Sequence, residues 1–280
     1  MNIKKTVQKS FILIVLAVLL MLFVFPFIIL LINAFKTNAQ IINSPISLPT
    51  TISFNNFKTA MDIMSYYNSF INSLFITVAS VTVIILFSSM TAHYFVRNNT
   101  KYSKFFFLLM VASMIIPFQS IMIPLVSIYG QKLGWIQSVP RQTLIFMYIG
   151  FGAPLAVFMY HGFIKSIPLE LEEAAKIDGC NQLQTFFKIV FPMLVPTSVT
   201  IGILDILWIW NDYLLPSLIL QNAGSENYTL PLAIRVFQGS FSSDYEKFLP
   251  AVLLVVLPVL IIYIFVQRYI IQGVTQGSIK

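Results

Sequence analysis

Long uncharged apolar runs alternate with short polar breaks along the whole chain. Phe11–Ile32, Ile63–Val96, Phe105–Gln131, Gln142–Ile164 and Phe248–Gln267 contain no Asp, Glu, Lys or Arg, and Ile189–Gln221 carries only Asp205 and Asp212. A helix crosses the hydrocarbon core of a bilayer with about 20 mostly apolar residues. The pattern therefore predicts six transmembrane helices, near 11–33, 69–95, 105–129, 142–164, 196–220 and 248–268. Strands are excluded at this length, because an open sheet edge cannot satisfy its backbone groups in lipid. Lys4, Lys5 and Lys9 before the first run give it the look of a signal peptide. Its apolar core is too long for one, however, and no small-x-small cleavage site follows, so it reads as a retained first helix.

Composition agrees with the pattern. The 280 residues are 58% hydrophobic and 10% charged, with a mean hydropathy of +0.84, whereas soluble domains carry about 25% charge. A soluble core of this size could not hide that much apolar surface. The net charge of +7 distributes by side. With the N-terminus in the cytoplasm, the cytoplasmic segments hold eleven basic residues: Lys4, Lys5, Lys9, Arg97, Lys101, Lys104, Lys165, Lys176, Lys188, Arg268 and Lys280. The external segments hold six: Lys36, Lys58, Lys132, Arg141, Arg235 and Lys247. That bias predicts both termini inside. The basic residues form no stripe, which argues against nucleic acid.

One stretch breaks the apolar rhythm. "PLELEEAAKIDGCNQLQTFFKIVFP" holds four of the ten acidic residues and falls between the fourth and fifth spans, on the cytoplasmic side. Pro168 suits the first turn of a helix, and Glu170, Glu172 and Glu173 sit near its positive dipole end. Glu172 and Lys176 stand i,i+4 in the favourable order. Ala174 and Ala175 leave a low face that a partner can approach closely, and Gly179 is placed to end the helix in a left-handed turn. A second short helix is expected over about 181–190, with Pro192 stopping it. The single cysteine, Cys180, lies in this loop and reads as a small filler residue.

These residues carry a resemblance. Glu173-Ala174-Ala175, three residues, Gly179, nine residues, Ile189, one residue and Phe191-Pro192 resemble the EAA loop of ABC importer permeases, departing only in Phe191 for the usual Leu. "NAFKTNAQIINSPISLPTTISFNNF", "YYNSFINSLFITVAS", "WNDYLLPSLIL", "TLPLAIRVFQG" and the tail "QRYIIQGVTQGSIK" are similar to segments of the maltose and multiple-sugar branch. The resemblance implies an all-α integral membrane protein with the six-helix type I ABC importer permease fold. It implies a coupling loop over about 166–192 and a cytoplasmic tail over about 269–280. The chain would be a single permease domain in the plasma membrane of a prokaryote. It would form half of a sugar path, oligosaccharides being the expected class, in a heterodimer with a second permease, served by two ATPase subunits and an extracytoplasmic sugar-binding protein. Coupling to the ATPases would fall to Glu173, Ala174, Ala175, Asp178, Gly179, Ile189 and Pro192. ATP and Mg would be used by the partner ATPases. This sequence has no Gly-x-x-x-x-Gly-Lys-Ser/Thr phosphate loop, so no cofactor is expected on the chain and no enzymatic activity of its own.

Within the fifth predicted span, Asp205, Trp208 and Asp212 share a helix face by their i, i+3, i+7 spacing, with Asn211 at its edge. An aromatic ring beside polar groups suits a sugar path; interhelical hydrogen bonding is the other reading. His93 and His161, each beside a tyrosine near a helix end, read as interfacial anchors, and two isolated histidines give no metal site. The remaining classes are an ABC importer for another solute and a secondary transporter, which would leave the EAA spacing unexplained.

Overall fold

The computed structural model describes residues 3–237 and 244–278, with side chains over 8–237 and 244–267. The chain divides into two compact units, Met1–Tyr66 with Ile234–Pro258, and Tyr67–Ala233 with Val259–Lys280.

In the first unit, α1 (Ile3–Asn33) is a long apolar helix, and none of its most hydrophobic stretch is buried. A helix apolar all round and uncovered by its own chain belongs in lipid or against another protein. The chain then tightens into α2 (Asn38–Asn43) and α3 (Asn55–Ile63). Lys36 holds this turn together. It is fully buried, and its Nζ donates to Asn33 Oδ1 at 3.1 Å, Ser44 O at 2.8 Å and Pro45 O at 3.3 Å. Burial pushes its pKa below the ordinary lysine value. Asn33 Nδ2 closes the same loop by donating to Pro45 O at 2.8 Å. Farther along the unit, Asn38 N donates to Glu246 Oε2 and Glu246 N to Asn38 Oδ1.

The second unit is built on α4 (Tyr66–Arg97), α5 (Lys101–Ser113), α6 (Phe118–Val126), α7 (Trp135–Ser138) and α8 (Pro140–Ile164). It continues through α9 (Leu169–Ile177), α10 (Gln182–Thr185), α11 (Phe191–Met193), α12 (Val195–Asn211), α13 (Leu214–Leu220) and α14 (Leu230–Ala233). The central helix α8 packs against α5, α12 and α13. Tyr148, Tyr160, Leu144 and Ile164 from α8 are fully or almost fully buried, as are Ile84 from α4 and Ile201 from α12. The last helix, α15 (Tyr245–Ser278), ends the described chain. The predicted tail at 269–280 falls where side chains lie outside the described residues.

Among the described residues, four unbroken helices are long and apolar enough to cross a membrane, and six spans result if each of two bent pairs counts as one. The first bend falls within the span expected at 105–129 and the second just ahead of the one expected at 196–220, and a proline stands at each. Between α5 and α6 the direction changes by 99°. Met114, Ile115 and Ile116 close with i→i−3 bonds to Val111, Ala112 and Ser113, and Pro117, which has no N–H to continue the ladder, takes an extended ψ of 134° as the N-cap of α6. Between 182–193 and α12 the bend is 74°, at Leu194, just before Pro196 in the first turn of α12. The predicted fifth span is also interrupted near its far end. Asp212 leaves helical geometry at ψ 129°, and α13 restarts after it.

Candidate functional site

The charged stretch folds as a helix, a turn and a second helical segment. Pro168 precedes α9 with ψ 134°, and Glu170 and Glu172 occupy its first turn. Gly179 has φ +84°. Cys180 N donates to Ala175 O at 2.9 Å and Gly179 N to Lys176 O at 3.0 Å. This pair of bonds is a Schellman ending, which satisfies the last carbonyls of the helix and requires a left-handed residue where Gly179 stands. Asn181 then caps the next segment, its Oδ1 accepting from Gln184 N while Gln184 Oε1 accepts from Asn181 N, both at 2.9 Å. That segment does not stop at Pro192. A π-helical turn over Phe186–Val190 leads directly into α11, with Pro192 at its first turn. The wider turn accommodates the missing proline N–H, and the chain breaks two residues later.

Burial sorts the loop residues into an inner and an outer set. Glu173, Ala174, Asp178, Gly179 and Pro192 are exposed, and Ile189 is half-buried. Ala175 is buried against its own chain, so the low outer face consists of Ala174 alone and not of both alanines. The i,i+4 partnership expected of Glu172 with Lys176 does not form. Glu172 is only 3% exposed. Its Oε2 lies 2.9 Å from His93 Nε2, and its Oε1 accepts from Arg97 Nε at 2.8 Å. Arg97 Nη2 lies 2.8 Å from the same oxygen and donates to Ile167 O at 3.0 Å, at the turn leading into α9. His93 also packs on Phe186 of the second segment, centroids 5.3 Å apart. His93 and Arg97 lie one turn apart on α4, so one carboxylate fastens the whole loop to the end of that helix. His93 is therefore a latch residue and not an interfacial anchor. His161 stacks on Phe107 with centroids 3.9 Å apart.

The other predicted face lies in α12. Asp205 is 4% exposed, and its Oδ2 has no hydrogen-bond partner among the described residues. Gly152 of α8 passes so close that a Cβ there would stand 3.5 Å from Asp205 Oδ1. Trp208 and Asn211 are exposed, and Asn211 Nδ2 donates to Leu207 O. Asp212 is fixed at the helix break. Its Oδ2 accepts from Tyr148 Oη at 3.0 Å and its Oδ1 from Leu214 N at 2.9 Å. Tyr148 meets Trp208 edge-on at 5.5 Å. The structure thus brings Trp208 and Asp212 together through Tyr148, a residue the sequence pattern did not single out, and leaves Asp205 enclosed. No group of His, Cys, Asp and Glu among the described residues could hold a metal ion.

Known proteins share this organisation. Residues 84–276 match the family described as "Binding-protein-dependent transport system inner membrane component". The chain is 40% identical over 277 residues to the "Probable starch degradation products transport system permease protein AmyC" of Thermoanaerobacterium thermosulfurigenes, covering 99% of each. It is 36% identical to the "Multiple sugar-binding transport system permease protein MsmG" of Streptococcus mutans, covering 92% of each. It is 38% identical to the "Melibiose/raffinose/stachyose import permease protein MelC" of Bacillus subtilis, covering 91% of each. Among solved structures, a bacterial ABC transporter involved in the import of the acidic polysaccharide alginate superposes with a TM-score of 0.78 at 21% identity, over 95% of this chain and 97% of that one. A bacterial alginate ABC transporter in complex with an alginate pentasaccharide-bound periplasmic protein gives 0.69 at 19%, over 94% and 95%. At these identities the structural likeness speaks for the fold.

Proposed function

The chain belongs to the family of inner membrane components of binding-protein-dependent transport systems, and from that premise we propose that it is the permease subunit of a sugar importer, oligosaccharides being its class, driven through the loop at 166–192. It is a multi-pass membrane protein of the type I ABC importer permease fold. The sugar reading is supported by the sugar-transport names of its relatives. In the proposed assembly it pairs with a second permease and forms half of the path. Two ATPase subunits hydrolyse ATP with Mg, and an extracytoplasmic binding protein delivers the sugar.

One observation carries the mechanism: the exposed Glu173, Ala174 and Asp178 stand on a helix that is capped at Gly179 and pinned from within by Glu172. An ATPase subunit gripping the outer face pulls on a body that is fastened to α4, so that closure of the ATPase pair moves the membrane helices instead of bending the loop. Ile189 and Pro192 shape the second segment, which passes the motion toward α12. There, Trp208 and Asn211 offer a ring and an amide to a sugar, and Tyr148 orients Asp212. Asp205, one turn deeper on the same face, joins the path when α12 separates from α8.

Cysteine labelling tests side and path together, because Cys180 is the sole cysteine. A membrane-impermeant maleimide should label Cys180 in inverted vesicles and not in intact spheroplasts. In a Cys180→Ser background, Asn211→Cys should label from outside, and sugar-loaded binding protein should slow that labelling. Labelling of Cys180 from outside would reverse the topology and remove the coupling argument.

A further inference from the structure

At the end of the second unit from which α9 emerges, a cavity of about 480 Å³ opens between α4, α5 and α8. Lys104, Lys165, His161 and Asn99 contribute polar groups to its lining, and Phe107 and Leu108 an apolar side. Among the described residues, no Asp or Glu lines it. Neither lysine pairs with a carboxylate among the described residues. Both lysines are exposed at its rim, and the net charge of the lining is positive whatever the state of His161, which favours an anion there. The volume falls in the range of small-molecule sites, which run from about 300 to 1,000 Å³.

The chemistry of the two sides selects the ligand. An ammonium pair with a neighbouring amide recognises a phosphate oxyanion. Phe107 and Leu108 lie on α5, a helix of the membrane bundle whose Phe105, Phe106 and Leu109 are also exposed. A ligand must therefore be anionic at one end and apolar where it leaves the cavity. We infer that this cavity is a binding site for the headgroup of an anionic phospholipid, its phosphodiester held between Lys104 and Lys165 and its acyl chains running along α5. A free phosphate would satisfy the lysines and leave the apolar side unused. On the proposed topology this end faces the cytoplasm, where leaflets are rich in anionic lipid. The site lies beside the turn into α9, so an occupied headgroup would stiffen the junction on which coupling depends.

The test uses the intact transporter in nanodiscs of phosphatidylcholine with a minor fraction of phosphatidylglycerol. Nanodiscs present both leaflets alike, so the lipid result does not depend on which side the loop faces. Native mass spectrometry should find phosphatidylglycerol retained by the wild-type assembly. Lys104→Ala with Lys165→Ala should weaken that retention about 25-fold, given the usual contribution of a basic residue at an anionic surface, and Lys104→Arg with Lys165→Arg should largely restore it. Glycerol phosphate added in excess should not displace the lipid. Equal retention by the alanine variant, displacement by glycerol phosphate, or a loss of subunit assembly in place of a loss of lipid would each overturn the assignment.

Discussion

Glu172→Ala should abolish uptake while leaving the protein in the membrane. The substitution leaves Arg97 and His93 facing each other in a pocket built around a carboxylate. Removing one partner of a buried pair costs about 3–5 kcal/mol, and at tenfold per 1.4 kcal/mol that shifts the docked-to-loose ratio of the loop by more than about 100-fold. Three variants separate this role from a surface one. Glu172→Gln keeps the shape and one acceptor and should fall between. Arg97→Lys keeps the charge but loses the planar fork that reaches both Glu172 and Ile167 O, and should also be impaired. Glu173→Gln, on the exposed side of the same helix, should leave the melting temperature of the purified subunit unchanged and still reduce uptake. A Glu172→Ala protein that melts and transports like wild type would remove the latch from the mechanism.

Substitutions at Gly179 should follow backbone conformation instead of size. Among the described residues, nothing beyond its own chain neighbours lies within 4 Å of where its Cβ would be, and φ is +84°. The cost of a side chain is therefore the left-handed strain alone, about 1–2 kcal/mol for alanine and least for asparagine, which visits this region readily. Valine, branched at Cβ, is worse. Proline cannot reach a positive φ and also deletes the Gly179 N–H to Lys176 O bond. Uptake should fall in the order Asn, Ala, Val, Pro. If the glycine serves instead to let a partner approach, asparagine, being larger, should be worse than alanine.

The sequence carried the parts of this account that depend on neighbours along the chain. Four spans could be read because lipid favours unbroken apolar helices, two more fold as bent pairs, and the ending of α9 could be read because Gly179 is the cheapest residue for a left-handed turn. Glu172 could not be read this way. Its partners His93 and Arg97 lie 79 and 75 residues away, whereas local spacing offered Lys176, four residues on. The desolvated arginine fork won over an exposed helical pair that contributes only tenths of a kcal/mol. For the same reason Ala175 looked like part of an outer face until the burial of Glu172, three residues earlier, fixed which side of α9 points inward. Pro192 misled because a proline ends a regular α-helix, and a π turn ahead of it avoids the conflict. Tyr148 gave no signal as a partner of Asp212, since a tyrosine in an apolar helix most often simply packs.

On the proposed mechanism, ATP hydrolysis elsewhere in the assembly is coupled to this chain through the capped, latched helix α9. The most direct measurement is the ATPase rate of the reconstituted complex of this subunit, its partner permease and two ATPase subunits, with the binding protein added empty or sugar-loaded. A ligand shifts a two-state equilibrium only through its differential affinity for the two states. Loaded binding protein should therefore raise the rate well above the empty form. In the Gly179→Pro complex the basal rate should persist and the stimulation should disappear. Equal stimulation in the wild-type and Gly179→Pro complexes would contradict the account.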